Sequence, residues 1–204
     1  MIVSIAGNIG SGKSALTSLL HEEKGWKPVF ESADENPYIR DFYGDMGKWA
    51  FHSQVFFLSR RCQLASEPVR KREVVLHDRS VYEDGEIFAT VLHELGYMSD
   101  RDCETYNHLY QSAMRILEPP DLIVYLEEDL GTLMHNIRTR ARSYEQHVDE
   151  SYIAALNAKY DAWFQQFDRC PVVKITSNVP DAIGVSQKRE ELLYLITNEI
   201  RKYS

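Results

Sequence analysis

The chain has 204 residues, 44% of them hydrophobic and 26% charged, which suits one compact domain able to bury roughly 70% of its unfolded surface and excludes a disordered segment, a collagen-like repeat and a disulfide-stapled miniprotein. Asp and Glu number 31 against 23 for Lys and Arg, a net charge of -8, and a surface that acidic repels a phosphate backbone, so nucleic acid is not an expected partner. The cysteines, Cys62, Cys103 and Cys170, are odd in number and far apart, no apolar run approaches the roughly 20 residues that cross a bilayer, and the N-terminus opens into a glycine-rich motif where a signal peptide would be; the expectation is a soluble cytoplasmic protein with free thiols and no membrane partner.

Ile2 to Ala6 is the first of five apolar runs of strand length, followed by Val29 to Glu31, Val74 to His77, Leu122 to Leu126 and Val172 to Ile175. Longer segments with helical spacing separate them, and that alternation predicts a parallel sheet covered by helices. Directly after the first run, Gly7-Asn8-Ile9-Gly10-Ser11-Gly12-Lys13-Ser14 matches G-x-x-x-x-G-K-[ST] and precedes a helical run with Ala15, Leu16, Leu19 and Leu20. In such a loop the backbone N–H groups and the helix N-terminus face phosphate oxygens, the lysine reaches the β and γ positions, and the hydroxyl of Ser14 ligates Mg²⁺. A glycine-rich turn that binds nothing is the bland alternative, and motif and context together disfavour it.

Glu31 closes the second predicted strand, on the sheet edge that also carries the phosphate loop. The segment from Asp45 to Ala65 holds Trp49, Phe51, Val55, Phe56, Phe57, Leu58 and Leu64, apolar nearly all round, which marks a helix that crosses the core or a subunit interface. The third strand runs into Asp78-Arg79-Ser80, so a carboxylate and a guanidinium sit at the carboxyl edge of the sheet. Asp78 is placed to hold Mg²⁺ directly or through water and Arg79 to neutralise a transferring phosphoryl group, while the bland reading has Asp78 cap the helix that starts near Ser80. Pro119-Pro120 stops a helix before the fourth strand. Leu130, Leu133, Met134 and Ile137 then form an amphipathic helix ending in Arg138, Arg140 and Arg142, three cations that either cap a helix dipole or form a mobile lid over a triphosphate. A last amphipathic helix starts at Ser186 with Leu192, Leu193, Ile196 and Ile200. The seven histidines show no ligand spacing, so a zinc site is not expected.

No Asn-Lys-x-Asp tetrad follows any strand, which disfavours a guanine-nucleotide switch. A kinase whose acceptor is a neutral hydroxyl gains from a carboxylate that accepts the departing proton, and Glu31 is the best-placed candidate. A kinase acting on a monophosphate such as thymidylate needs arginines more than a base, and a non-catalytic nucleotide-binding regulator needs neither; both stay open at this point.

The motifs resemble, in order, those of the deoxyribonucleoside kinase family, nearest to its bacterial deoxyadenosine and deoxyguanosine kinases. The resemblance rests on Gly7 to Ser14, Glu31 with Asn36-Pro37-Tyr38, the helix from Trp49 to Arg61, the run Asp78-Arg79-Ser80-Val81-Tyr82-Glu83-Asp84, the strand Pro120 to Leu126, and Arg138, Arg140, Arg142 and Glu145, spanning roughly residues 1 to 170. Ala141 departs from it, standing where many relatives carry glycine, which is expected to stiffen the lid.

The resemblance implies a P-loop three-layer sandwich with a five-stranded parallel sheet, helices on both faces and an arginine-rich lid at about 138–147, the whole of 1–204 forming a single kinase domain. It implies transfer of the ATP γ-phosphoryl group, with Mg²⁺, to the 5′-hydroxyl of a deoxyribonucleoside, a homodimer packed through helices, and inhibition by an end-product triphosphate. Glu31 is then the base and Arg79 lies near the 5′ oxygen. Tyr43 and Glu145 fall on the sugar hydroxyls. Gln54 and Arg61, seven residues apart on one helix face, meet the base edge, Asp84 pairs with Arg61 or with the base, and Phe88 covers a ring face. A purine is the expected base, because Arg61 and Asp84 add a donor fork and an acceptor at the far end of the pocket.

Overall fold

The computed structural model describes residues 1–31, 33–65, 73–176 and 178–203. Five parallel strands, β1 (Ile2–Gly7), β2 (Lys27–Val29), β3 (Val75–Asp78), β4 (Leu122–Glu127) and β5 (Val172–Thr176), form one sheet in the order β2-β3-β1-β4-β5. Strands buried on both faces read as continuous apolar runs, and β4 shows why. Leu122, Val124 and Leu126 point to one face and Ile123 and Tyr125 to the other, and all five are buried.

On the first of those faces lie α1 (Lys13–Lys24) and, from the end of the chain, Val179–Gly184 and Ser186–Arg201, packing Leu16, Leu19, Leu20, Val179, Leu192 and Ile196 onto the sheet. The opposite face is covered by α2 (Ile39–Gly44), α3 (Met46–Ala65), α4 (Val81–Glu83) with its π-helical continuation Asp84–Ala89, α5 (Thr90–Glu94), α6 (Asp100–Met114), α7 (Leu130–Arg140) and α8 (Glu150–Gln166). The two C-terminal helices of the first face are therefore α9 (Val179–Gly184) and α10 (Ser186–Arg201). The expected three-layer arrangement is thus the observed one.

Two local expectations change. The second strand is Lys27–Val29 rather than Val29 to Glu31, because its partner among the described residues, β3, pairs with it from Lys27↔Val75 to Val29↔His77. Pro28 is tolerated since β2 is an edge strand, and past Val29 the chain leaves the sheet with Phe30 44% exposed. Glu31 therefore sits on the following loop, free to turn toward β3. The helix after Ser80 contains the π turn Asp84–Ala89, in which Thr90 Oγ1 donates to the Gly85 carbonyl at 3.0 Å. A Cβ at Gly85 would stand 2.7 Å from the Tyr110 ring, so α6 packs there only because the residue is glycine.

Candidate active site

The carboxyl ends of β1 and β3, with the loop after β2, converge on one cavity, open at its mouth, lined among others by Lys13, Ser14, Glu31, Tyr43, Gln54, Asp78, Arg79, Asp84, Phe88, Arg140, Arg142 and Glu145. The phosphate loop forms its donor end. Gly10 (φ +88°) and Gly12 (φ +89°) hold left-handed backbone, and a Cβ on either would lie 2.7 Å from the Leu133 carbonyl oxygen or 2.8 Å from Pro180 Cδ. Asn8 ties the loop to α8, its Nδ2 donating to the Ile153 carbonyl at 3.0 Å and to Asn157 Oδ1 at 3.2 Å. Asn136 on α7 donates to the Gly10 carbonyl at 2.9 Å. Lys13 Nζ donates to the carbonyls of Gly7 and Asn8, both at 2.8 Å. Burial, then the charge of Arg79, lowers its pKa to about 7 against the pull of Asp78, Glu83 and Glu31.

Asp78 ends β3, and the Ser14 hydroxyl donates to its Oδ2 at 2.5 Å. The helix cap is Ser80, so Asp78 is not the cap that its position also allowed. A hydroxyl and a carboxylate in contact are hard oxygen donors of the kind that Mg²⁺ takes, and burial pushes the Asp78 carboxyl above its ordinary range in spite of Lys13 and Ser14. A cation there would supply the missing counter-charge.

Arg79 adopts φ +83°, a left-handed conformation costing a non-glycine residue of order 1–2 kcal/mol. That turn aims its guanidinium into the cavity, where Nε donates to Glu31 Oε2 at 2.8 Å, NH1 donates to the Tyr160 hydroxyl at 3.0 Å, and the group lies 4.2 Å from the Phe88 ring centre. Glu31 Oε1 accepts from Arg61 NH2 at 2.8 Å. Burial works to raise the Glu31 pKa, but Arg61 and Arg79 together hold it below the ordinary glutamate range.

Arg61 makes the pair with Asp84 that its position allowed, but it does not line the cavity where the base edge was expected. Nε and NH2 donate to Asp84 at 3.0 and 3.3 Å, NH2 also to Glu31, and NH1 to the carbonyls of Asp78 and Arg79 at 3.2 and 3.0 Å. All five of its N–H groups are thereby used, and the residue stands behind the cavity wall, pinning two carboxylates that line it. Gln54, Asp84 and Phe88 do line the cavity, as does Phe57, one helical turn from Gln54, which periodicity along α3 should have flagged.

At the other end, Glu145 is buried, accepting from Arg140 NH2 at 2.7 Å with Arg142 NH1 at 3.6 Å. Tyr43 stacks on Tyr144 with ring centres 5.7 Å apart, and burial raises its pKa well above the usual tyrosine value. Arg138 is not brought to the cavity: its side chain is 71% exposed, 3.8 Å from Glu150. Ala141 ends α7 with φ +54°, so the position calls for left-handed backbone rather than mere flexibility. Tyr160 carried no functional signal in the sequence, and Glu83 figured only as one residue of the run from Asp78 to Asp84, yet both are fully buried beside Arg79.

The sequence profile of the deoxynucleoside kinase family matches residues 3–201. The chain is 34% identical to the deoxyadenosine/deoxycytidine kinase of Bacillus subtilis, over 98% of this chain and 93% of that protein. It is 32% identical to the deoxyguanosine kinase of Lactobacillus acidophilus, over 98% and 91%. Among solved structures, the deoxyadenosine kinase of M. mycoides with products dCMP and a flexible dCDP bound superposes with a TM-score of 0.84 at 26% identity, covering all of both chains.

Proposed function

The chain belongs to the deoxynucleoside kinase family, and from that premise we propose how its residues divide the reaction and which nucleoside they take. As a deoxynucleoside kinase it is a phosphotransferase with an alcohol acceptor, which sets aside the thymidylate-type and non-catalytic readings. The observation that carries the proposal is Glu31, held between Arg61 and Arg79 and facing the same cavity as Lys13, Ser14 and Asp78. ATP is the donor in this reading, with its phosphates on Gly7 to Ser14 and the β and γ oxygens on Lys13. Ser14 and Asp78 hold Mg²⁺, which supplies neutralisation of charge shared by those oxygens.

Glu31 accepts the proton of the 5′-hydroxyl. Its depressed pKa keeps it ionised throughout the neutral range, and a weak base suffices for a loose transition state in which the acceptor loses its proton late. Arg79 stands beside it to neutralise charge on the moving phosphoryl group. Tyr43 and Glu145 take the sugar hydroxyls. Arg140 and Arg142 close over the phosphates as part of a lid at about 138–147 within one domain spanning 1–204. Gln54, Asp84 and Phe88 hold the base. With the donors of Arg61 spent, the Gln54 amide is the remaining donor of that set. This suits adenine, which pairs one ring nitrogen and one amino group, better than guanine, whose O6 and N7 both need donors. Cytosine presents a similar amino and ring-nitrogen edge, so deoxycytidine is the second reading. A homodimer completes the proposal, checked by light scattering.

Turnover with Mg·ATP and each of the four deoxynucleosides, their ribose forms and thymidylate tests it. Deoxyadenosine is expected to give the highest kcat/KM, and deoxyguanosine or thymidine ahead of it would overturn the assignment of the base.

A further inference from the structure

Glu83 lies outside the cavity wall and is fully buried. Its first explanation is local. Oε2 accepts from the Ser80 N–H at 2.6 Å, the return bond of a capping box that starts α4. A glutamine would serve that purpose equally, and the cap occupies only one oxygen. The other, Oε1, accepts from the Gly7 N–H at 3.0 Å and the Tyr160 hydroxyl at 2.7 Å, and lies 3.8 Å from Arg79 NH1. Tyr160 in turn accepts from Arg79 NH1 at 3.0 Å. Its hydroxyl is also 2.8 Å from the Gly7 carbonyl, but Lys13 already donates there, and the single phenolic proton goes to the charged acceptor.

One buried carboxylate thus touches the first residue of the phosphate loop, the backbone just after Arg79, and, through Tyr160, the Arg79 guanidinium that orients Glu31. We infer that Glu83 is a positioning residue for phosphoryl transfer, fixing the distance between the phosphate loop and the Arg79–Glu31 pair. The inference rests on the reading of Lys13 as the donor side and Glu31 as the acceptor side. An amide at this position turns a donor toward one of the three converging N–H and O–H groups, so Glu83→Gln keeps the helix cap or the loop contact but not both.

The experiment compares Glu83→Gln and Tyr160→Phe with a matched control, Tyr110→Phe, which removes a buried hydroxyl donating to Glu86 at 2.7 Å away from the cavity. Each is assayed with Mg·ATP and deoxyadenosine for kcat, both KM values, and ADP formed per monophosphate formed. Misplacement of reacting groups by about 1 Å costs about 10² in rate, so Glu83→Gln is expected to lose about 10- to 100-fold in kcat, with KM values moving less than about threefold. ADP per monophosphate should rise, as water competes for a phosphoryl group no longer aligned with its acceptor. Tyr160→Phe should show the same pattern more weakly, and the control should move neither kcat nor the ratio. Wild-type kcat and ratio in both folded variants, or losses that the control reproduces, would overturn the inference. Should Glu83→Gln not fold, Tyr160→Phe decides by the same criteria. A wild-type protein that phosphorylates no deoxynucleoside would instead sink the reading of the site itself.

Discussion

Arg61→Met keeps an unbranched stem of similar length and removes a buried charge with five donors. In the wild type that guanidinium serves Asp84, Glu31 and two carbonyls at once. The variant leaves Glu31 with Arg79 as its ion-pair partner and Asp84 without the cation that pins it. Removing one member of a buried ion pair costs about 3–5 kcal/mol, and in a domain of about 200 residues each kcal/mol moves Tm by about 2–4 °C. Melting should therefore fall by about 6–20 °C. The same change alters the chemistry in a predictable direction. Burial already pushes Asp84 up to about 6, and burial alone would raise Glu31, whose pKa is held down by Arg61 and Arg79. Without Arg61 the Glu31 pKa rises, so the acid limb of the kcat profile moves up toward neutrality. Thermal unfolding and a kcat–pH profile with deoxyadenosine measure both effects. A variant that melts like the wild type and keeps its pH profile, yet reorders the four bases, would place Arg61 on the base and refute the argument from its spent donors.

Lys13→Ala and Asp78→Ala should each remove nearly all turnover while the circular dichroism spectrum is kept, since both act on charge that develops during transfer; wild-type turnover in Lys13→Ala would contradict the phosphate-loop assignment. Glu128 offers a test of stability against pH. Burial, then Asp129, pushes its carboxyl up to about 7, and among the described residues its Oε1 has no hydrogen-bond partner. Because its folded pKa exceeds the unfolded value, its contribution is full below pH 4.5 and is lost as pH rises through about 7. The full shift is worth about 3 kcal/mol, and partial solvent access reduces this to about 1–2 kcal/mol. Glu128→Gln should gain that much over the wild type at pH 8 and nothing at pH 4 in urea unfolding; an equal gain at both would show that charge is not the cause.

The phosphate loop was legible because its eight residues are contiguous and follow directly on an apolar strand. The sheet was legible because strands covered on both faces show as unbroken apolar runs, and β2 slipped by two residues because an edge strand of three residues, one of them Pro28, carries little pattern. Arg61 was misplaced for a physical reason. Its position on the face of α3 was right, but its partners come from the loop after β2, the end of β3 and the π turn, and nothing in the spacing along one helix reveals that all its donors are spent. The π turn itself escapes a reading based on a 3.6-residue period. Tyr160 lies in an amphipathic helix and reads as one more core aromatic, while its hydroxyl turns out to sit between Arg79, Glu83 and Gly7.

The central claim, that Glu31 takes the proton from the 5′-hydroxyl, is tested most directly by single-turnover transfer from Mg·ATP to deoxyadenosine in Glu31→Gln, which keeps shape and hydrogen bonding while removing the base. The account predicts a rate of transfer lower by about 10² to 10⁴, with deoxyadenosine affinity, measured in the same samples by titration, little changed. Transfer at the wild-type rate would contradict it and return Glu31 to the role of a counter-ion for Arg61 and Arg79.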